Sequence, residues 1–491
     1  TGSGTGRGCP VARWTIMFPT RFRVNRLACL SLAALLAACS GGGDSGGPFG
    51  PGGGTCGVDS QKTFVRDVTA DWYLFPELLP ASVNPANYTT AQDLLDAMTA
   101  TARAQGRDRY FSYVTTRQAD SSFLQEGEFI GFGFRIRVDG NRAFFLDVFE
   151  SSPASEAALA RGAELLAIDS GSGFVPLATV LNTDPNLSAA FGPSETGVTR
   201  GLRFRRNGTD IQATLTKRIV TITPIPVTGG VEVLTLPSNP SVEVGYVHLR
   251  SFISTAETPL RNAFAGFRQQ GIQYFIVDLR YNGGGLLSVA DVLGDLFGGG
   301  RFPGEVFYRL RFNPARSAAN DQTRRFSSQT GSVLPVKIAF ITTGATASAS
   351  ELIINGLKPW VDPANVAIIG EDTYGKPVGQ SAFDQGGCDT RLRLVTFRTA
   401  NRDDESDYYN GLASTLLRAC AAGDDVDFAM EDPNEASTWT ALGWLGSATG
   451  ACPVGTLSAA DRLQKAGIEG GSRYPIADRP SPAQVHLPGL F

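Results

Sequence analysis

Histidine is nearly absent from this chain: His248 and His486 are its only two among 491 residues. So few, so far apart, argue against a histidine-held zinc. A Ser–His–Asp arrangement would have to use His248, which sits inside the apolar stretch Gly245-Tyr246-Val247-His248-Leu249 and reads there as a core or sheet-face residue. Basic charge is not in excess either. The formal net charge is −4 and no basic cluster stands out, which excludes nucleic acid as a partner. No apolar run reaches the length of a mature membrane span. What remains is 42% hydrophobic and 18% charged, the balance of a globular chain able to bury one large core or two to three modest ones.

The first forty residues read as a targeting segment. Met17 is the expected initiator, with residues 1–16 upstream of it, and is followed by Arg21, Arg23 and Arg26, an apolar run over 27–37, and Leu36-Ala37-Ala38-Cys39. Positive, then apolar, then small residues is the secretory pattern. A cysteine after Leu-Ala-Ala resembles a bacterial lipobox, which implies cleavage before Cys39 and lipid attachment to it. The expected location is therefore the bacterial cell envelope, lipid-anchored and periplasm-facing, at the outer membrane. Residues 40–54, almost all Gly, Ser and Pro, read as a flexible tether. The string Gly43-Asp44-Ser45-Gly46-Gly47-Pro48 matches a trypsin-like nucleophile motif, but a flexible linker cannot hold a base against a serine.

Export agrees with the cysteines. Without Cys9, Cys29 and Cys39, four remain: Cys56, Cys388, Cys420 and Cys452. In an oxidising compartment they allow two disulfides. Cys388–Cys420, closing an insertion, and Cys56–Cys452, joining the ends, are the favoured pairs, and other pairings stay open.

The chain divides into residues 1–39, a tether over 40–58, a helical cap over 59–126, a small domain over 127–217, an α/β unit over 218–450 and a tail over 451–491. In the cap, Phe64, Val65, Val68, Trp72 and Leu74 fall at helical spacing. The small domain opens on Gly131-Phe132-Gly133-Phe134. Strands follow over 135–138 and 143–148, a helix over 156–160, and then Ala163-Glu164-Leu165-Leu166-Ala167-Ile168-Asp169. It resembles a PDZ domain, with Gly131, Phe132, Gly133 and Phe134 in the carboxylate-binding loop, where backbone N–H groups cradle a chain end and the peptide adds as a strand. Residues 171–201 read as an inserted loop. From 218 onward, strands over 244–249, 274–279, 336–342 and 366–369 alternate with helices over 257–269, 286–297 and 348–358. That alternation predicts a largely parallel sheet with helical cover and a site at the carboxyl ends of its strands. The tail after 455 reads as extended or disordered.

Every candidate catalytic group falls at such a strand end. Ser348, in Thr346-Ala347-Ser348-Ala349-Ser350-Glu351, sits at a helix start, where free N–H groups favour developing negative charge. The N–H of Ala349 is one candidate oxyanion donor. A second comes from the turn Gly283-Gly284-Gly285, and such donors are worth about 3 kcal/mol each. Lys376 is the candidate base. Its ordinary pKa of about 10.4 must fall by burial, for which the 366–369 strand and Tyr374 are available. Gln380 can aim the amine. Glu351 reads as a partner of the helix dipole, and Asp278 and Arg280 as braces of the glycine turn.

Three motifs together, Asp278-Leu279-Arg280-Tyr281-Asn282-Gly283-Gly284-Gly285, Thr346-Ala347-Ser348-Ala349-Ser350-Glu351 and Gly370-Glu371-Asp372-Thr373-Tyr374-Gly375-Lys376 with Gln380, resemble the C-terminal processing peptidases, or tail-specific proteases. The resemblance covers nearly all of the chain after the tether. It implies a ClpP/crotonase-like, mixed but mostly parallel α/β core after a helical cap and a PDZ domain. It places the nucleophile on Ser348, the base on Lys376, the orienting amide on Gln380 and the oxyanion glycine on Gly284, with Ser350 as the rival nucleophile. It implies no cofactor, and as partners protein substrates met at their C-termini and the membrane through Cys39. Departures are Gly283, where the family often has proline, Pro377, where glycine is usual, and a longer connection over 358–365. Two other readings use the same residues: a catalytically inactive, lipid-anchored adaptor for exported tails, and a Ser–Lys hydrolase of small esters or cell-wall peptides.

Overall fold

The computed structural model describes residues 1, 56–416, 418–453 and 472–491. Residues 2–55, with Cys39 and most of the expected tether, lie outside the described residues, and the expected tether end at 58 falls inside the first helix.

The cap is built on two helices, Val58–Trp72 and Ala91–Met98. The second starts at a reciprocal cap: Thr90 Oγ1 accepts from the Asp93 N–H at 3.1 Å while the Asp93 carboxylate accepts from the Thr90 N–H at 3.0 Å. Val65, Val68 and Leu95 bury against Leu392, Leu394 and Val395 of the strand Thr390–Ala400. The strand Tyr113–Thr116 pairs antiparallel with that same strand. Cap and α/β unit therefore share one apolar cluster.

In the small domain the strands Phe134–Asp139, Arg142–Val148, Glu164–Asp169, Thr199–Arg206 and Thr209–Thr216 form a continuous antiparallel sheet. Its inner face carries Phe134, Ile136, Phe145, Leu165, Leu202 and Phe204. Two expectations are corrected here. The helix predicted over 156–160 lies instead at Pro153–Glu156, because Ser152 caps it, accepting from the Ser155 N–H at 3.1 Å, and Pro153 fits the first helical position. The presumed loop over 171–201 contains the strand Phe174–Pro176 and the helices Leu177–Thr183 and Ser188–Phe191. Leu177, Leu187 and Phe191 bury their side chains in the sheet's own core, which is why the segment is ordered.

The α/β unit has a six-stranded sheet. Its order is Val231–Leu236, Asn239–His248, Tyr274–Asp278, Lys337–Thr342, Val366–Gly370, Ala419–Ala421, and every pairing after the first is parallel. The helices Glu257–Gln270, Leu287–Gly298 and Ala349–Leu357 pack Phe264, Leu293 and Ile353 on one face. The helix Ala436–Gly446 covers the other with Leu442 and Trp444. Helical cover on both faces explains the uniformly apolar strands.

The disulfides differ from expectation: they join Cys56 to Cys388, with Cα atoms 5.6 Å apart, and Cys420 to Cys452, 5.5 Å apart. Cys388 lies between the strands Val378–Asp384 and Thr390–Ala400, a hairpin that packs on the cap whose first helix follows Cys56. Cys420 lies on the edge strand Ala419–Ala421, paired with Val366–Gly370, and is bonded to Cys452, which follows the helix Ala436–Gly446 in the chain. The tail is also corrected. Its described part, 472–491, contains the strand Ser472–Arg473, paired with Phe134–Asp139, and the helix Pro482–His486.

Candidate active site

Three strand ends converge. Tyr274–Asp278 leads into the glycine turn, Lys337–Thr342 into Ser348, and Val366–Gly370 into Lys376. The glycine turn is rigid. Asp278 and Arg280 form a fully buried ion pair at 2.5 Å, and Arg280 also reaches Glu435 at 3.1 Å. Thr346 Oγ1 donates to the Leu279 carbonyl at 2.7 Å, tying the serine loop to that turn.

Ser348 immediately precedes the helix Ala349–Leu357 and has φ 58° and ψ −115°. An L-residue pays about 1–3 kcal/mol for such a conformation. A serine on a strained strand-to-helix turn presents its hydroxyl outward beside the first free N–H groups of the helix. Ser348 is partly exposed, whereas Ala347, Ala349 and Ser350 are buried. Ser350, the rival nucleophile, is committed elsewhere: its hydroxyl donates to the Asn282 carbonyl at 2.9 Å.

Lys376 is 5% exposed. Its ammonium donates to Gln380 Oε1 at 3.2 Å and lies 4.9 Å from the centre of the Phe111 ring. Gln380 is itself oriented, since its Nε2 donates to the Phe111 carbonyl at 2.7 Å. Burial pushes the Lys376 amine down to about 8, against the opposing charges of Asp108 and Glu351. The aromatic wall is thus Phe111 from the cap, while Tyr374 is 37% exposed and meets that ring edge-on at 5.9 Å. Arg109, also from the cap, donates to the carbonyls of Tyr374 at 2.7 Å and Gly375 at 2.6 Å, fixing the lysine turn from outside.

Glu351 joins the two halves. Its fully buried carboxylate accepts from the N–H groups of Ser348 at 2.9 Å, Lys376 at 2.7 Å and Gly375 at 2.7 Å. Burial raises its pKa, opposed by the Thr373 hydroxyl and these backbone donors.

The turn expected to supply the second oxyanion donor is only partly as expected. Gly284 lies against Ser348: a Cβ there would come within 2.8 Å of the Ser348 Cβ and 2.9 Å of the Ala349 nitrogen, so glycine is required. Its N–H, however, is not free, because it donates to Asn282 Oδ1 at 2.9 Å, and that side chain is held by its own bond to the Leu249 carbonyl at 2.7 Å. Of the predicted peptide-binding residues, the N–H groups of Gly133 and Phe134 both meet the carbonyl of Phe491, at 3.0 and 3.4 Å. Phe132 and Phe134 are buried aromatics of the small domain's core, and Gly131 ends the strand Glu128–Gly131. His248 is buried with Nε2 unpartnered, and burial pushes its pKa down to about 4.

Sequence reasoning missed Phe111, Arg109, Asn282 and the clamp formed by Glu351. Only Glu351 carried a signal: an acid followed directly by Leu352-Ile353-Ile354, on a helix with no exposed face.

Residues 243–415 match Peptidase family S41, and residues 60–113 match the Peptidase S41 N-terminal domain. Among curated proteins, a carboxyl-terminal-processing protease of Synechocystis sp. is 26% identical over 283 residues, 57% of this chain and 60% of the relative. The carboxy-terminal processing protease CtpB of Bacillus subtilis is 24% identical over 298 residues, 60% of this chain and 56% of the relative. The chain thus spans little more than half the length of these relatives. Among solved structures, a putative S41 protease from Bacteroides fragilis superposes with a TM-score of 0.60 at 22% identity, covering 77% of this chain and 96% of that one, a likeness of fold. Within the chain, residues 243–415 are similar to Peptidase family S41 and residues 60–113 to the Peptidase S41 N-terminal domain.

Proposed function

We propose that this protein is an exported serine endopeptidase that processes protein tails by a Ser–Lys mechanism. The observation that carries this reading is the Lys376 amine: buried, aimed by Gln380 and lowered to about 8, it has the neutral fraction at physiological pH that an ordinary lysine lacks. Neutral Lys376 takes the Ser348 proton as the hydroxyl attacks a peptide carbonyl. The N–H of Ala349 receives the oxyanion. The N–H of Gly284 becomes the second donor once it exchanges its bond to Asn282 Oδ1 for the stronger charge-assisted one. Protonated Lys376 then donates to the leaving amine, and water hydrolyses the acyl-enzyme.

The names of the relatives support tails as substrates. The small domain is proposed as a PDZ domain, on its glycine-aromatic entry loop and its antiparallel sheet, and the core as ClpP/crotonase-like, on its run of parallel strands. Export and anchorage through Cys39 in the bacterial envelope rest on the sequence pattern of residues 17–39.

The test is labelling with a fluorophosphonate probe. Ser348 is expected to react in the parent chain, and labelling is expected to vanish in Ser348→Ala and to fall steeply in Lys376→Ala. Undiminished labelling of Ser348→Ala would sink the assignment. Unchanged termini of exported proteins in cells carrying Lys376→Ala would sink the processing role.

A further inference from the structure

The strand edge proposed as the peptide groove is filled by the chain itself. Residues 489–491 lie along the strand Phe134–Asp139 as an added antiparallel strand. The Phe491 N–H donates to the Phe134 carbonyl at 3.1 Å, Ile136 donates to the Gly489 carbonyl at 2.9 Å, and Arg135 bridges to Leu490. The Phe491 ring, 2% exposed, sits 4.6 Å from the Phe191 ring and 6.5 Å from Phe134. Leu487 and Leu490 are equally buried, among Phe123, Phe129 and Phe149.

The same segment touches the catalytic turn. The N–H of Gly283 donates to the His486 carbonyl at 3.0 Å, and a Cβ on Gly283 would approach that oxygen to 2.4 Å. Proline, common at this position in the resembling family, could neither donate that bond nor fit. The departure at Gly283 and the seating of His486 are thus one arrangement. The His486 ring stacks on Phe123 at 5.5 Å. The segment also holds its own shape: Ser481 and Gln484 cap the helix Pro482–His486, and Gln484 Nε2 donates to the Leu490 carbonyl at 3.0 Å. A cavity of about 350 Å³ flanks it, lined by Phe123, Phe129 and Pro482 among others.

We infer that residues 482–491 are a resident ligand of the small domain, and that the groove therefore selects substrate segments of the same kind, with a leucine and an aromatic residue in adjacent positions, which must displace it. This inference rests on the peptidase reading for its consequence, but not for its test. Strand addition supplies affinity through main-chain bonds, and the Phe191 and Phe123 pockets supply the side-chain choice. A groove that is open only one-tenth of the time binds about tenfold more weakly than an open one.

The test uses the full chain carrying Ser348→Ala, so that cleavage cannot intrude, and a fluorescent peptide ending in Leu-Pro-Gly-Leu-Phe. Binding is measured by anisotropy before and after adding Leu490→Asp and Phe491→Asp. About tenfold tighter binding in the loosened chain is expected, with loss of that gain on adding Phe191→Asp. Should the loosened chain fold poorly, hydrogen exchange on the Ser348→Ala chain reads the same event. Added peptide should then raise exchange at Leu490 and Phe491 while Gly133 and Ile136 stay protected. Equal affinities in the two chains, no binding to either, or no peptide-induced exchange at residues 490–491 overturns the inference. Tight binding by the loosened chain together with failure of the Ser348-bearing parent to cleave any tail leaves the groove assignment standing and sinks only the peptidase reading.

Discussion

Ser348 and Lys376 share one hydrogen-bond acceptor: Glu351 Oε2 takes the backbone N–H of the first at 2.9 Å and of the second at 2.7 Å. The candidate nucleophile and base come from different strand ends, and a buried carboxylate sets their separation. Its helix supplies the serine turn, and its side chain reaches over to the lysine turn.

Glu351→Ala should therefore lower kcat by about a hundredfold, the cost of an ångström-scale misplacement, with little change in KM. Three backbone donors lose their acceptor, at about 1–3 kcal/mol each where no water replaces it. Glu351→Gln removes the charge and, with its amide oxygen in the place of Oε2, keeps the acceptor shared by Ser348 and Lys376 while losing the one for Gly375. The carboxylate raises the Lys376 pKa, so its neutral replacement should move the rising limb of the pH–rate profile to lower pH. A profile that stays in place while activity falls would reduce Glu351 to a folding role.

The base itself predicts a pH dependence. kcat/KM should rise with pH and level off above about 8, the value to which burial brings Lys376. Lys376→Arg should be inactive at every pH tested. Stability follows the same group. The unfolded lysine titrates near 10.4, so between about 8 and that value the folded chain holds fewer protons than the unfolded one. The contribution of Lys376 to stability therefore rises with pH across this window and is flat below it. Urea midpoints of the parent, compared with Lys376→Met at pH 7 and pH 9.5, check the sign.

Ser350 and Ser348 should separate cleanly. Ser350→Ala removes a donor to the Asn282 carbonyl, costing about 1 kcal/mol of stability and leaving probe labelling intact. Ser348→Ala abolishes labelling. Loss of labelling in both, with both proteins folded, would return the nucleophile assignment to an open question.

Peptide mapping without reduction should recover Cys56 joined to Cys388 and Cys420 joined to Cys452. Reduction should lower the melting temperature, each bond contributing about 2–4 kcal/mol. A map showing Cys388 joined to Cys420 would contradict the fold at the hairpin.

The parallel strands were legible because each is buried on both faces and reads as an apolar run. The expected 274–279 and 366–369 fall within a residue of Tyr274–Asp278 and Val366–Gly370. The motif residues were placed correctly relative to the strands, since the glycine turn, Ser348 and Lys376 each follow a strand of the same parallel sheet. Cysteine pairing was not, since it depends on how the hairpin meets the cap, a contact between residues 332 apart. The state of the Gly284 N–H turns on how the Asn282 side chain is oriented, which no local pattern encodes. Residues 482–491 misled for a compositional reason: their proline and polar content hides Leu487, Leu490 and Phe491, whose aromatic partners Phe123, Phe129, Phe149 and Phe191 lie hundreds of residues earlier.

The Cys56–Cys388 bond closes a covalent ring over the cap, the small domain, Ser348, Lys376 and Gln380. One cut anywhere inside that ring releases nothing. A molecule nicked in this stretch keeps Ser348 and Lys376 on one covalent body, and its damage shows only after reduction.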